Sequence, residues 1–192
     1  MNNINQIRDK FPITRNKVFL NHAAYSPPSQ LVVDAMRKYN ENLCCYEAEL
    51  MDCSLGQEFF AELIGADKDE VALVQNTSTG LNIVANMLNY SEGSNIVTTD
   101  LEYPSVVYPW LRKSLDVEVR YVKNVEGIVR IEDVEETVDD KTAAIAISHV
   151  EYVNGFKNDL RQLADITHEH GAFLVVDGIQ SLGSIPVDVR RD

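Results

Sequence analysis

Four short stretches of the chain carry side chains that could do chemistry together. The first is residues 173–183, FLVVDGIQSLG. Phe173 to Val176 is an apolar run of the kind that forms a buried strand of a parallel sheet. It ends on Asp177, with a glycine directly after it. Open α/β sheets bind ligands at the C-terminal ends of their strands, so a carboxylate delivered there can hold a positive charge on a bound molecule. Gln180, three residues on, is near enough in sequence to face the same ligand. For Asp177 alone, the alternative is a cap on the next helix.

The second stretch is Gln75-Asn76-Thr77-Ser78-Thr79-Gly80-Leu81-Asn82, which joins an apolar run to a helical pattern. Unpaired N–H groups and the helix dipole favour an anion there, and the hydroxyls of Thr77, Ser78 and Thr79 add donors. A phosphate suits this turn; a simple N-cap without a ligand is the alternative. The third stretch is Glu102-Tyr103-Pro104-Ser105, just after NIVTT. The Tyr103 ring could support a flat ligand or could pack at a strand–helix corner. The fourth, Ser148-His149-Val150-Glu151-Tyr152, follows another apolar run and brings polar groups towards the same edge. Together they suit a flat aromatic cofactor with a phosphate and a basic ring nitrogen. Pyridoxal phosphate has that form, and Asp177 would keep its pyridine nitrogen protonated. The chain has no GxGxxG and no GxxxxGK[ST], so a dinucleotide or P-loop site has no support.

The elements that must position these groups alternate. Residues 2–10 form a short amphipathic pattern, Val18 to Leu20 a brief strand, and Pro27-Pro28 an extended turn. Ser29 can cap a helix whose apolar face is Leu31, Val32, Ala35, Met36, Tyr39 and Leu43. A second helix spans 54–64, with Phe59, Phe60, Leu63 and Ile64 inward and Gly65 as its stop. Strands are expected at 71–74, 95–99, 117–122, 143–147 and 173–176. Helices are expected after residue 80, after the segment DLEYPSVVYPW to about Leu115, and over 131–138 and 159–170, the last with Leu160, Leu163, Ala164 and Ile166 inward and Gly171 as its stop. Strands alternating with helices predict an α/β fold, a mostly parallel sheet flanked by helices.

Composition narrows the function classes. At 192 residues the chain can bury a real core. Its net charge of −13, without a basic cluster, argues against nucleic acid and against an anionic membrane surface. No apolar run can span a bilayer and MNNINQIRDKF is no signal peptide, so a cytoplasmic location is expected. Cys44, Cys45 and Cys53 suggest reduced thiols rather than a disulfide framework. The histidines His22, His149, His168 and His170 lack zinc-site spacing, so no metal is expected. The acidic run Glu132, Asp133, Glu135, Glu136, Asp139 and Asp140 reads as a solvated helix face.

Five segments, in order and spacing, carry a family likeness: FLNHAAYSPPS, NTSTGLN, LEYPSVVYPW, SHVEYVNGFKNDL and HGAFLVVDGIQSLGSIPVDV. The chain resembles the class V aminotransferases among fold-type I pyridoxal-phosphate enzymes, a group that includes cysteine desulfurases and isopenicillin N epimerase-like proteins. The resemblance implies that Asp177 pairs with the pyridine nitrogen and that Gln180 bonds the ring hydroxyl. It implies that Thr77, Ser78 and Thr79 hold the phosphate and Tyr103 stacks on the ring. Ala24 and Tyr25, with Tyr152, would border an amino-acid substrate. Tyr103 stands where many members have a stacking histidine, so a histidine-dependent step is in doubt. Tyr152 stands where desulfurases carry an asparagine, for which Asn154 is a candidate substitute.

The Schiff-base lysine of the family is expected beyond Asp192, so no catalytic residue is assigned within the chain. Residues 1–192 would then be an N-terminal segment plus an incomplete large domain, without the rest of that domain or the small domain. The expected function is the cofactor-binding part of an enzyme of the epimerase, desulfurase/lyase or transaminase type, inactive alone. Its expected partners are a homodimeric copy or a polypeptide supplying the C-terminal part. The alternative is a non-catalytic phosphate-binding remnant or a subunit of a split protein.

Overall fold

The computed structural model describes residues 4–23, 25–45 and 54–192. Ala24 and Cys53 lie outside the described residues. The chain divides into two compact units, Met1–Leu55 and Gly56–Asp192.

In the first unit, α1 (Ile4–Asp9) leads through a 3₁₀ turn, Pro12–Arg15, to α2 (Gln30–Cys45). The Gln30 N–H donates to Lys10 O at 2.7 Å, which ties the start of α2 to the end of the first helical turn region. Ser29 Oγ accepts from Val32 N–H at 3.4 Å, as the capping pattern predicts. The apolar periodicity of α2 is present, but Leu31, Val32, Met36, Tyr39 and Leu43 are exposed. Val18 to Leu20 is not a strand, and Val18 and Leu20 are exposed. A strand exists only as a pairing, and among the described residues no partner lies beside this run. Tyr25 packs its ring against Phe19, centroids 5.7 Å apart, and is otherwise exposed.

The second unit is a four-stranded parallel sheet in the order β2-β1-β3-β4. Its strands are β1 (Asn95–Thr99), β2 (Glu118–Val122), β3 (Thr142–Ser148) and β4 (Phe173–Asp177). Around it lie α3 (Ser54–Ile64), α4 (Thr77–Met87), α5 (Pro104–Val107), α6 (Ile131–Thr137) and α7 (Leu160–Glu169). Every residue of β1 is buried, as expected for a central strand covered on both faces. One face packs Val97, Ile145 and Ile147 against Val134 of α6 and Leu160 and Leu163 of α7. The other packs Ile96, Ala144 and Ala146 against Leu81 and Ala85 of α4, Val106 of α5 and Trp110. Small Ala144 and Ala146 alternate with large Ile145 and Ile147, so the α4 face receives the bulk of Trp110.

Three other expectations are corrected. Residues 71–74 are irregular rather than a strand, without a neighbouring strand among the described residues. The helix expected after DLEYPSVVYPW, to about Leu115, is only a 3₁₀ turn, Lys113–Leu115, and the α-helix here lies earlier, over Pro104–Val107. Pro109 has no N–H for a continuing ladder. In α3 the bounds are as predicted, yet Phe59, Phe60 and Leu63 are exposed and Ala61 is its buried residue.

The start of the sheet is locked by polar contacts. Fully buried Asn95 donates to Asp139 Oδ1 at 2.8 Å and accepts from Thr142 Oγ1 at 2.8 Å. Asp139 also takes a 2.7 Å ion pair from Arg120, and with Asn95 this holds its carboxyl well below the usual range. Asp139 therefore fastens β1, β2 and β3 together rather than merely solvating a helix. Asn95→Ala would remove both of these hydrogen bonds from a buried polar network and is expected to destabilise the chain by about 1–3 kcal/mol, read by chemical denaturation. An unchanged midpoint would show that the network holds nothing.

Candidate active site

The parallel sheet brings three strand ends into a row, and each delivers a carboxylate. At the end of β1, Thr99 Oγ1 accepts from Leu101 N–H at 2.9 Å and turns the chain. Asp100 Oδ1 accepts from the Asn124 backbone and side-chain N–H groups, each at 2.9 Å, which ties this turn to the segment after β2. Glu102 then reaches across to β3. Its Oε1 accepts from Ser148 N–H, and its Oε2 accepts from Ser148 Oγ at 2.7 Å and from Tyr103 N–H at 3.2 Å.

After β3 the chain makes a tight loop. Glu151 N–H donates to Phe156 O and Gly155 N–H to Glu151 O, both at 2.8 Å. Gly155 takes φ +76°, a conformation that glycine adopts without strain. Asn158 Nδ2 donates to Ser148 O at 2.9 Å and to Glu151 Oε1 at 3.0 Å. At the end of β4, Asp177 is buried opposite Ser148 in the strand register. Its Oδ1 accepts from Ile179 N–H at 2.9 Å, and its own carbonyl accepts from His149 N–H at 2.9 Å.

The electrostatics follow from this crowding. Burial pushes the Asp177 carboxyl up, partly offset by the Ile179 N–H. Burial also pushes Glu102 up, against the Ser148 donors, and the charge of Asp177 adds to the rise. Burial and the nearby Glu102 charge push Glu151 up to about 7. Among the described residues, no lysine, arginine or histidine forms an ion pair with any of the three. Buried His149 is pushed down, first by burial and then by Lys157. The edge is therefore a negative, poorly hydrated place that favours a cation on whatever binds.

The aromatic groups meet beside it. Tyr103 and Tyr152 stand edge to face, ring centroids 5.1 Å apart, both exposed. Thr77, Ser78 and Thr79 form the first turn of α4. The cap is Asn76, whose Oδ1 accepts from Thr79 N–H at 2.9 Å. Among the described residues, the backbone N–H groups of Thr77 and Ser78 find no hydrogen-bond acceptor, so two donors stay open for an anion. No hydrogen bond joins this turn to Tyr103 or Asp177. Gln180 lies in the turn after β4. Asn154 is committed elsewhere, donating to Gly127 O at 2.7 Å and accepting from Phe156 N–H, so it does not replace an asparagine at Tyr152. Sequence reasoning left Glu102, Glu151 and Asn158 without roles. Their only signal was a polar residue just past an apolar run.

The comparisons agree with this architecture. The family model for aminotransferase class-V matches residues 18–191, and the chain belongs to that family. A probable cysteine desulfurase of Methanothermobacter thermautotrophicus is 34% identical over 96% of this chain and 49% of its own length. An uncharacterized aminotransferase of Bacillus subtilis is 32% identical over 97% of this chain and 51% of its own. The solved apo structure of a cysteine desulfurase from Thermococcus onnurineus superposes with a TM-score of 0.87 at 26% identity, covering all of this chain and 51% of that one. The chain thus spans about half the length of the relatives it matches.

Because the three edge carboxyls titrate above their ordinary range, the folded state binds extra protons between about pH 4 and pH 7. Their contribution to stability is full below the unfolded values and is lost as pH rises through the folded ones. Unfolding free energy should therefore fall from pH 4.5 to about pH 7, with the opposite contribution of depressed His149 offsetting part of that fall and the acid-side losses from Asp139 appearing only below this window. Denaturant titrations across pH check it; stability rising through that window would contradict it.

Proposed function

We propose that this chain is the cofactor-holding part of a pyridoxal-phosphate enzyme that acts on an amino acid. The observation that carries this most directly is Asp177, a buried carboxylate at the C-terminal end of β4 in a negative edge without an ion-paired cation. Its residues fit the group. Asp177 would hold a protonated pyridine nitrogen, and the raised Asp177 carboxyl would return to its ionised form against that charge. Thr77 and Ser78 would bind the phosphate through their open N–H groups and hydroxyls, with Thr79 Oγ1 beside them. Tyr103 would support the ring face, and Gln180 would serve the ring hydroxyl. Tyr152, edge-on to Tyr103, would border the amino acid. Bound there, pyridoxal phosphate supplies an electron-withdrawing ring that stabilises negative charge at the amino-acid Cα.

The family and the desulfurase relatives support an amino-acid substrate, in a reaction of the desulfurase, lyase, epimerase or transaminase type. Tyr103 offers no imidazole for proton transfer, which favours a step that does not need one at that position. The lysine of the reaction is assigned outside this chain, so the chain alone would be inactive. Catalysis would then need the remaining half of the protein, in a homodimer or from a partner chain. A split-protein subunit without catalysis is the alternative. It is favoured by β4, which lies at the open edge of the described sheet beside a groove of about 730 Å³ lined by Leu160, Leu174 and Val176.

Titration with pyridoxal phosphate, followed by its absorption and by tyrosine quenching, should saturate. Asp177→Asn should weaken binding by about 10- to 100-fold, equivalent to about 1.5–3 kcal/mol for a hydrogen bond to a charged group. Borohydride treatment should leave Lys123 and Lys157, the lysines that follow β2 and β3, unmodified. Equal affinity for wild type and Asp177→Asn would remove Asp177 from the site. A stoichiometric adduct on either lysine would place the reactive amine in this chain.

A further inference from the structure

Glu151 has no role in the cofactor assignment, yet it is only 1% exposed. One of its oxygens accepts from Asn158 Nδ2; the other, Oε2, is buried without a hydrogen-bond partner among the described residues. The same Asn158 nitrogen bonds Ser148 O, and Ser148 donates twice to Glu102. A chain of contacts, Glu151–Asn158–Ser148–Glu102, therefore links the loop that carries Tyr152 to the segment that carries Tyr103.

The two glutamates at its ends are held differently. Glu102 accepts three hydrogen bonds, the environment of an ionised carboxylate. Glu151 accepts one, and its second oxygen has nothing to stabilise a negative charge. Ionised, it would sit dry beside a second carboxylate; as a neutral acid it brings no second charge to that place. Environments that push two neighbouring carboxyls apart in this way divide their roles.

We propose that Glu151 is a positioning residue that works as the neutral acid. Protonated, it keeps the 149–158 loop closed on the sheet edge and Tyr152 against Tyr103. Ionised, it leaves its buried place for water, and the aromatic corner loosens with it.

The groups that face this cluster are Glu102 from the segment after β1, Asp177 from the end of β4, and His149 and Lys157 from its own loop. Burial and then Lys157 push His149 down, and Asp192 opposes them. Glu102 is the charge that raises Glu151, Asp177 raises Glu102 in turn, and the transition falls near pH 7. Loop closure is thus complete in mild acid and lost as pH rises through that value. This device goes beyond the cofactor assignment and needs no cofactor to be seen.

The test uses the 192-residue chain. In wild type, the ¹³C carboxyl resonance of Glu151 should titrate near pH 7. Amide exchange at Gly155 and Glu151, corrected for intrinsic rates, should accelerate at least tenfold between pH 6 and pH 8.5. Glu151→Gln, which fixes the neutral form, should keep that protection flat. A Glu151 resonance that titrates near pH 4.5 would overturn the proposal in wild type alone, whatever the variant's folding. So would a Glu151→Gln profile with the wild-type midpoint. In a second arm, pyridoxal phosphate affinity should fall above pH 7 in wild type and less in Glu151→Gln. If the cofactor binds to neither, the cofactor assignment fails while the exchange result still decides the role of Glu151.

Discussion

The clamp between Glu102 and Ser148 is the contact on which the sheet edge depends. It joins residues 46 positions apart, and it fills both carboxylate oxygens with donors from a neighbouring strand end. Without those donors a carboxylate at this depth would be too costly to keep. With them, the segment after β1 is fixed over β3, and Tyr103 is fixed opposite Tyr152. The same Ser148 passes the constraint on through its carbonyl to Asn158, and so to Glu151. Asp177 lies next in the row, within range to raise Glu102. The negative character of the edge follows from strand order, because β1, β3 and β4 are neighbours and each ends on or near an acid.

This division of charge gives the edge its chemistry. Three carboxyls in one dry place cannot all ionise at equal cost. Glu102 has three donors to support a charge, whereas Glu151 has one donor and, among the described residues, an unpartnered second oxygen. Asp177, held by one backbone N–H, is the carboxyl that gains most from a cation brought by a ligand. A protonated ring nitrogen is such a cation, and the family to which the chain belongs includes relatives described as cysteine desulfurases and aminotransferases.

Much of the fold was legible in the sequence. NIVTT, the VEVRYV run, AAIAI and FLVVD were each recognisable as strands, because apolar β-branched residues ran between turn signals. The helices at 30–45, 54–64 and 160–169 followed from periodicity, with Ser29 as the expected cap of the first; the structure adds Asp159 as the cap of the last. Val18 to Leu20 and residues 71–74 had the same local look but are not strands, since strand formation depends on a partner and not on the run itself. Periodicity likewise marked the apolar faces of α2 and α3 without saying what covers them. At the site, Asp177 and Tyr103 could be picked out because they end apolar runs. The roles of Glu102, Asn158 and Glu151 could not, because they arise from contacts between segments far apart in sequence and from burial that a single sequence does not display.

The central claim is that Asp177 faces a ring nitrogen and keeps it protonated. The direct measurement is the ¹⁵N chemical shift of pyridoxal phosphate labelled at that nitrogen and bound to the full chain. A pyridinium shift at pH 7.5 in wild type, moving to a neutral pyridine shift in Asp177→Asn, is the predicted result. A neutral pyridine shift in the wild-type complex would contradict it.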